Sequence, residues 1–208
     1  MKSFIRFIKL KNNPIKMLTE NKAEIIGLLC AEGNYYDRRI SYLQYDKNRK
    51  KSYYRKNKRC VYIQFSNHDP RLLKRFKFLM EIKYKYSPNI NKDRIRICNR
   101  EVIRELISYS NYGCLNWRAS SDFLNNKKLI CRFLHGYFEG DGHFSNKKIV
   151  FSSSNIIGLK QVKVLLNKLD INTTLQGPFI RENKKNSYHL YIKRKSTNKF
   201  SKFVQPIF

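Results

Sequence analysis

From Thr19 onward the chain opens with an almost unbroken apolar stretch in which Ile25, Ile26, Leu28, Leu29 and Cys30 leave no polar face. Residues 23–31 are therefore expected as a helix buried between two layers. Thr19 caps it, Glu20 and Glu24 make its first turns acidic, and Gly33 stops it. Residues 35–45 read as a strand rich in aromatics, and the basic run 47–59 as a loop or hairpin tip. Residues 58–67 alternate, with Val61, Ile63 and Phe65 on one face and Tyr62, Gln64 and Ser66 on the other, which predicts a half-buried strand. Asp69 and Pro70 mark a helix start. A helix over 72–80, short strands near 82–86 and 94–98, and a helix near 100–109 follow.

The same order recurs from Asn126. It gives a helix over 128–139, strands around 143–154, a helix over 156–169, strands around 172–180 and 187–195, and a last short helix near Asn198 cut off by Pro206. A repeat of about 105 residues is too long for a solenoid unit and has the length of a duplicated half-domain. The expected division is a basic N-terminal arm at 1–18, a first repeat at 19–110, a linker at 111–125 and a second repeat at 126–208.

Charge then narrows the partner. The 44 Lys and Arg residues against 15 Asp and Glu give a formal charge of +29, spread over the whole chain. Such a charge opposes compaction but releases counterions along a phosphate backbone, so nucleic acid is the first expectation. An anionic membrane is disfavoured, because the basic and aromatic residues fall on predicted strands and not on one amphipathic helix. Nor does any apolar run reach the roughly 18 residues of a membrane span. The five cysteines are odd in number and form no CxxC pair, which points to a reducing intracellular compartment. Richness in Lys, Asn, Ile and Tyr suggests an AT-rich genome, and an archaeal cytoplasm and an organelle matrix are not distinguished.

The first helices of the two repeats end alike, IIGLLCAEG at residues 25–33 and LHGYFEGDG at 134–142. Each has a glycine mid-helix, Gly27 or Gly136, that costs about 1 kcal/mol in helix propensity but lets two helices approach closely. Each ends on an acid, Glu32 or Asp141, facing the negative end of the helix dipole, a placement that points to a bound cation. These nine-residue segments resemble the motif that names the LAGLIDADG homing endonucleases. The second copy is close to the family pattern, and the first departs from it at Cys30 and Glu32.

The resemblance implies an α+β fold of two pseudo-symmetric αββαββα half-domains, packed through the paired motif helices and presenting a saddle-shaped antiparallel sheet to DNA. It implies a monomeric, site-specific double-strand DNA endonuclease with a long, partly palindromic target. Glu32 and Asp141 would hold Mg2+, or another divalent cation such as Mn2+, with Ala31 and Gly140 as adjoining metal ligands. By position Asn67 and Ser153 would organise water at the catalytic centre. Arg118 would stabilise phosphate charge, and Lys147 or Lys148 would take that part in the second half.

Outward strand faces are expected to read base edges, through Tyr62, Gln64, Ser66, Arg94 and Arg96 in the first repeat and Lys148, Val150, Ser152, His189, Tyr191 and Lys193 in the second. Arg38, Arg39, Tyr42 and Arg59 would extend that contact. The alternatives of other classes are an RNA maturase bound to its host intron and a noncatalytic DNA-binding protein of the same fold. The spacing of His135, Glu139 and His143 invites a zinc reading, which Gly140 and Gly142 disfavour by breaking the helical register. His135 is expected at the helix interface and Trp117 in the core.

Overall fold

The computed structural model describes residues 18–120, 124–145, 148–180, 182 and 185–205. The proposed arm up to residue 17 and Lys147 lie outside them. Among the described residues the first element is helix α1 (Glu20–Glu32), which runs directly into a hairpin of β1 (Gly33–Asp46) and β2 (Lys51–Ser66). Helix α2 (Pro70–Tyr84), strands β3 (Ile90–Asn91) and β4 (Arg94–Ile97) and helix α3 (Arg100–Tyr109) follow. A small ribbon, β5 (Ser110–Asn111) with β6 (Arg118–Ala119), then leads to α4 (Lys127–Asp141). The order repeats as β7 (Gly142–Ser145), β8 (Lys148–Ser153), α5 (Ile156–Lys168), β9 (Thr173–Phe179), β10 (Ser187–Ile192) and α6 (Thr197–Val204). Two four-stranded antiparallel sheets result, ordered β1-β2-β4-β3 and β7-β8-β10-β9.

The apolar periodicity locates the core. Residues 22–30 of α1 are all buried, and so are Phe133, Leu134, Tyr137 and Phe138 of α4. The two helices pack along their length, with Ile63, Phe65, Ile95 and Ile97 of one sheet and Ile149, Phe151, Leu190 and Ile192 of the other closing over them. One wholly buried carboxylate sits in this interface. Glu24 receives two hydrogen bonds from the Arg75 guanidinium, at 2.7 and 3.0 Å, and the His135 ring lies 3.8 Å away, bonded through Nδ1 to the Val204 carbonyl at 2.9 Å. His135 is thus an interface residue.

Three local expectations differ from the structure. Residues 82–84 continue α2, which ends where Lys85 adopts a left-handed conformation, so no strand forms at 82–86. The apolar face that buries Leu79 and Met80 carries the helix on to Tyr84. The run 47–59 is a loop only at 47–50. From Lys51 it pairs with β1, interrupted by a register shift between Ile40 and Tyr42, because a long ladder satisfies backbone groups that a loop would leave to water. Thr19 occupies the cap position of α1 without capping, since its buried hydroxyl has no partner, and the bond there runs from the Ala23 amide to the Thr19 carbonyl. Within 111–125 the β5–β6 ribbon is anchored to α5. Asn155 donates to the Trp117 carbonyl at 2.8 Å, Gln161 bonds both backbone groups of Ala119, and the buried Trp117 ring packs against Gly158.

Candidate active site and nucleic-acid interface

Two glycines determine how closely the central helices meet. A Cβ on Gly27 would overlap the Phe133 carbonyl and stand 2.9 Å from the Tyr137 amide nitrogen. A Cβ on Gly136 would overlap the Glu24 carbonyl and stand 3.1 Å from the Leu28 nitrogen. These contacts are reciprocal, since residues 24 and 28 hold the places in α1 that 133 and 137 hold in α4. The two helices are therefore related by a local twofold. At their shared end, Gly140 meets Ala31 and the Glu32 side chain, which brings Glu32 and Asp141 together.

The chain leaves each helix at once in an extended conformation, Gly33 into β1 and Gly142 into β7. Each acid thus stands at the root of a hairpin. Burial raises the Glu32 pKa, and an Asn67 amide bond at 3.1 Å and the nearby His68 ring lower it. Asp141 is pushed well above the usual carboxylate range, first by burial and then by the charge of Glu32, with Tyr137 acting in the opposite direction. Two half-buried carboxylates whose burial raises their proton affinity, that of Asp141 further by the charge of Glu32, each at a helix C-terminus, form a donor set that a divalent cation would neutralise. The residues present fit such an ion, with the Ala31 and Gly140 backbone alongside.

Asn67 and Ser153 occupy matching places. The Asn67 side chain accepts from the Asp69 amide at 2.8 Å and the Ser153 hydroxyl from the Asn155 amide at 3.2 Å, and Asp69 and Asn155 each cap the helix that follows. Asn67 alone bonds its acid directly. In the second half a residue missed by sequence reasoning stands beside Asp141. The buried Tyr137 hydroxyl lies within electrostatic reach of Asp141 and Ser153 yet has no partner at bonding distance. Its spacing, four residues before the acid on one helix, was the available signal. His68, exposed and next to Asn67, was missed as well. Arg118 is exposed on β6 opposite Asn111 and makes no ion pair with either acid.

The outward face of the first sheet carries a connected polar row. Gln64 stands opposite Arg96 and Ser66 opposite Arg94. Arg96 donates to Gln64 at 3.0 Å, and Gln64 donates to Ser66 at 3.0 Å. Tyr62 departs from expectation, because Tyr36 stacks on it at 4.6 Å and the Arg96 guanidinium covers it at 4.9 Å, leaving it 6% exposed. Val150 departs likewise, buried between its ladder neighbours His143 and Tyr191. Ser152 is half-buried opposite His189, whose ring packs on Phe179 and meets the Tyr191 hydroxyl at 3.2 Å. Lys148 and Lys193 are exposed, the former lying over the Tyr191 ring. Arg38, Arg39 and Tyr42 are exposed on β1, whereas both prongs of Arg59 are held by Asp37 at 2.7 and 2.8 Å. Arg94 pairs with Asp93 at 3.0 Å.

Paired αββαββα units joined through glycine-bearing helices that end on acids define the LAGLIDADG fold. Residues 128–205, in the second half of the chain, match the family model of the LAGLIDADG-like domain. Among solved structures the chain resembles a variant of I-DmoI in complex with its target DNA in the presence of manganese (TM-score 0.65, 17% identity, covering 90% of this chain and 95% of that one). Another similar structure is that of mesophilic variants of the homing endonuclease I-DmoI (TM-score 0.64, 16% identity, covering 89% and 96%). The chain also resembles full-length WhiA from Thermatoga maritima (TM-score 0.51, 17% identity, covering 91% and 58%). No curated protein sequence matches it. Among the described residues no helix is long and apolar enough to cross a membrane.

Proposed function

We propose that the protein is a site-specific double-strand DNA endonuclease of the homing type, acting as a monomer on a long, partly palindromic target. The observation that carries this reading is the meeting of Glu32 and Asp141 at the end of the glycine-packed helices, between two sheets whose outward faces bear Arg, Gln, Ser, His and Tyr. The two acids, with the Ala31 and Gly140 backbone, hold Mg2+ or another divalent cation such as Mn2+. When bound, that ion supplies charge stabilisation for a scissile phosphate and lowers the pKa of water. Asn67 orients the Glu32 carboxylate, and Ser153 occupies the corresponding place in the second half. Arg118 and Lys148 are available to the phosphate once DNA is seated. Gln64, Ser66, Arg94, Arg96, His189, Tyr191 and Lys193 face the bases, and Arg38, Arg39, Tyr42 and Arg59 the backbone beyond. The five cysteines, all unbonded, suit a reducing compartment.

The test is a cleavage selection. Protein and its Asp141→Asn variant are incubated with a randomised duplex library, with magnesium or with chelator, and the new ends are sequenced. Ends that cluster on one site, need the metal and fall at least about 1000-fold in the variant are expected, a loss of roughly 4 kcal/mol in transition-state stabilisation. Binding without cutting under any metal would overturn the nuclease reading in favour of a DNA-binding protein of this fold. Binding restricted to folded intron RNA would favour a maturase.

A further inference from the structure

The two sheets do not project equally. β4 pairs with β2 only from Ile63 to Ser66, so residues 37–46 of β1 and 51–61 of β2 stand beyond the sheet as a ribbon paired only with itself. A bulge between Ile40 and Tyr42 bends this arm. Its outer part exposes large side chains, Tyr42 at 42%, Leu43 at 68%, Tyr45 at 59% and Tyr54 at 67%, with Leu43 directly opposite Tyr54. From Arg38 to Arg59 there are ten Lys or Arg residues and one acid, Asp46. Bonds from Arg55 to Gln44 and from Arg39 to the Asn57 carbonyl hold two of the arginines against the arm, while the tip lysines Lys47, Lys50 and Lys51 are exposed. The corresponding hairpin of the second half, β7–β8, has strands of four and six residues where β1 and β2 have 14 and 16.

We infer that the chain grips its duplex unevenly, because the β1–β2 arm extends the DNA contact well past the sheet on the first-half side while the described residues of the second half form no such arm. This rests on the DNA reading proposed above. The partner follows from continuity, since the strand carrying Gln64 and Ser66 is the one that runs out into the arm, and whatever lies along the sheet continues along it. Charge complementarity selects the phosphate backbone, and the exposed tyrosines supply apolar contact to sugars and base edges. From Ile40 to Asp46 the arm advances about 20 Å at ~3.4 Å per residue, which spans about six base pairs. The target is thus expected to have unequal half-sites, with the arm adding contacts at the outer end of one.

The test is hydroxyl-radical footprinting of the full chain on the sequence found in the selection. One variant replaces residues 41–57 by Asn-Gly, joining Ile40 to Lys58, which already face each other in the ladder. A second carries Lys50→Glu and Lys51→Glu at the exposed tip. The wild type should protect about six base pairs more on one side of the cut than on the other. The shortened variant should lose that surplus and keep the opposite end. The double substitution should weaken protection at the same end and lower affinity about tenfold at moderate salt. An even wild-type footprint, or a surplus that survives in a folded shortened variant, overturns the inference. Should the shortened variant fail to fold, unchanged protection by the double substitution overturns it equally. No protection of any duplex would instead overturn the DNA reading itself.

Discussion

In the first half of the molecule the acid is held by an amide, Asn67, which reaches Glu32 from the end of β2. In the second half the equivalent position is Ser153, too short to do the same, and what stands near Asp141 is the Tyr137 phenol from the acid's own helix. The same twofold contact that pairs Gly27 with Phe133 pairs Gly136 with Glu24, yet one partner is an aromatic ring and the other a buried carboxylate tied to Arg75. The halves share a backbone plan and differ in how each supports its acid and in how far each reaches. Duplicated architecture therefore constrains the backbone contacts tightly and leaves the side chains around them free to diverge.

The strongest test of the shared plan acts on those backbone contacts. Gly27→Ala and Gly136→Ala each place a methyl group against the facing helix backbone, which cannot rotate away. Overpacking of this kind costs up to about 3 kcal/mol, and the better helix propensity of alanine returns about 1, so each variant should lose about 2 kcal/mol. The losses should match within experimental error by urea denaturation. A large loss in one and none in the other would show that the two contacts are not equivalent.

Much of this plan was legible in the chain. The paired glycines, the paired acids and the recurrence of element order identified the central helices and the fold, because backbone approach and helix termination leave marks at fixed spacing. The reach of the arm was only partly legible, since Lys, Arg and Asn at 47–59 read as a loop or hairpin tip until a partner strand satisfies their backbone. The burial of Tyr62 and Val150 was also hidden. Strand alternation gives the face of a residue but does not reveal that Tyr36 and Arg96, or His143 and Tyr191, will cover it. Tyr137 escaped notice because an aromatic residue in an apolar helix reads first as core.

Tyr137 sharpens the contrast between the two acids. If the phenol helps to position Asp141 once a cation and DNA are bound, Tyr137→Phe should slow cleavage about tenfold, a loss of ~1.4 kcal/mol in transition-state stabilisation. Stability should not fall with it, since the hydroxyl removed is buried without a bonding partner. A shift of the metal midpoint to higher concentration is the third expected sign, and a purely structural tyrosine would not produce it. If stability and cleavage dropped together while the metal midpoint stayed fixed, Tyr137 would be a packing residue only.

The smallest expected effect concerns the stability of the metal-free protein. Burial and the charge of Glu32 raise the Asp141 pKa well above its ordinary 3.8, so the folded state holds this proton more tightly than the unfolded chain does. That stabilisation is complete below about pH 4 and is lost as pH rises through the folded pKa, so burying this acid opposes folding at neutral pH. Asp141→Asn should therefore stabilise the protein by about 1 kcal/mol at neutral pH in chelator, and the gain should vanish near pH 4. Glu32→Gln should gain less, because Asn67 and His68 offset part of the burial penalty at that acid. Urea melts of both variants at the two pH values measure the difference. A neutral-pH loss of stability in Asp141→Asn would mean that the carboxylate is satisfied in the folded state without a cation, and the case for a metal between the two helices would weaken with it.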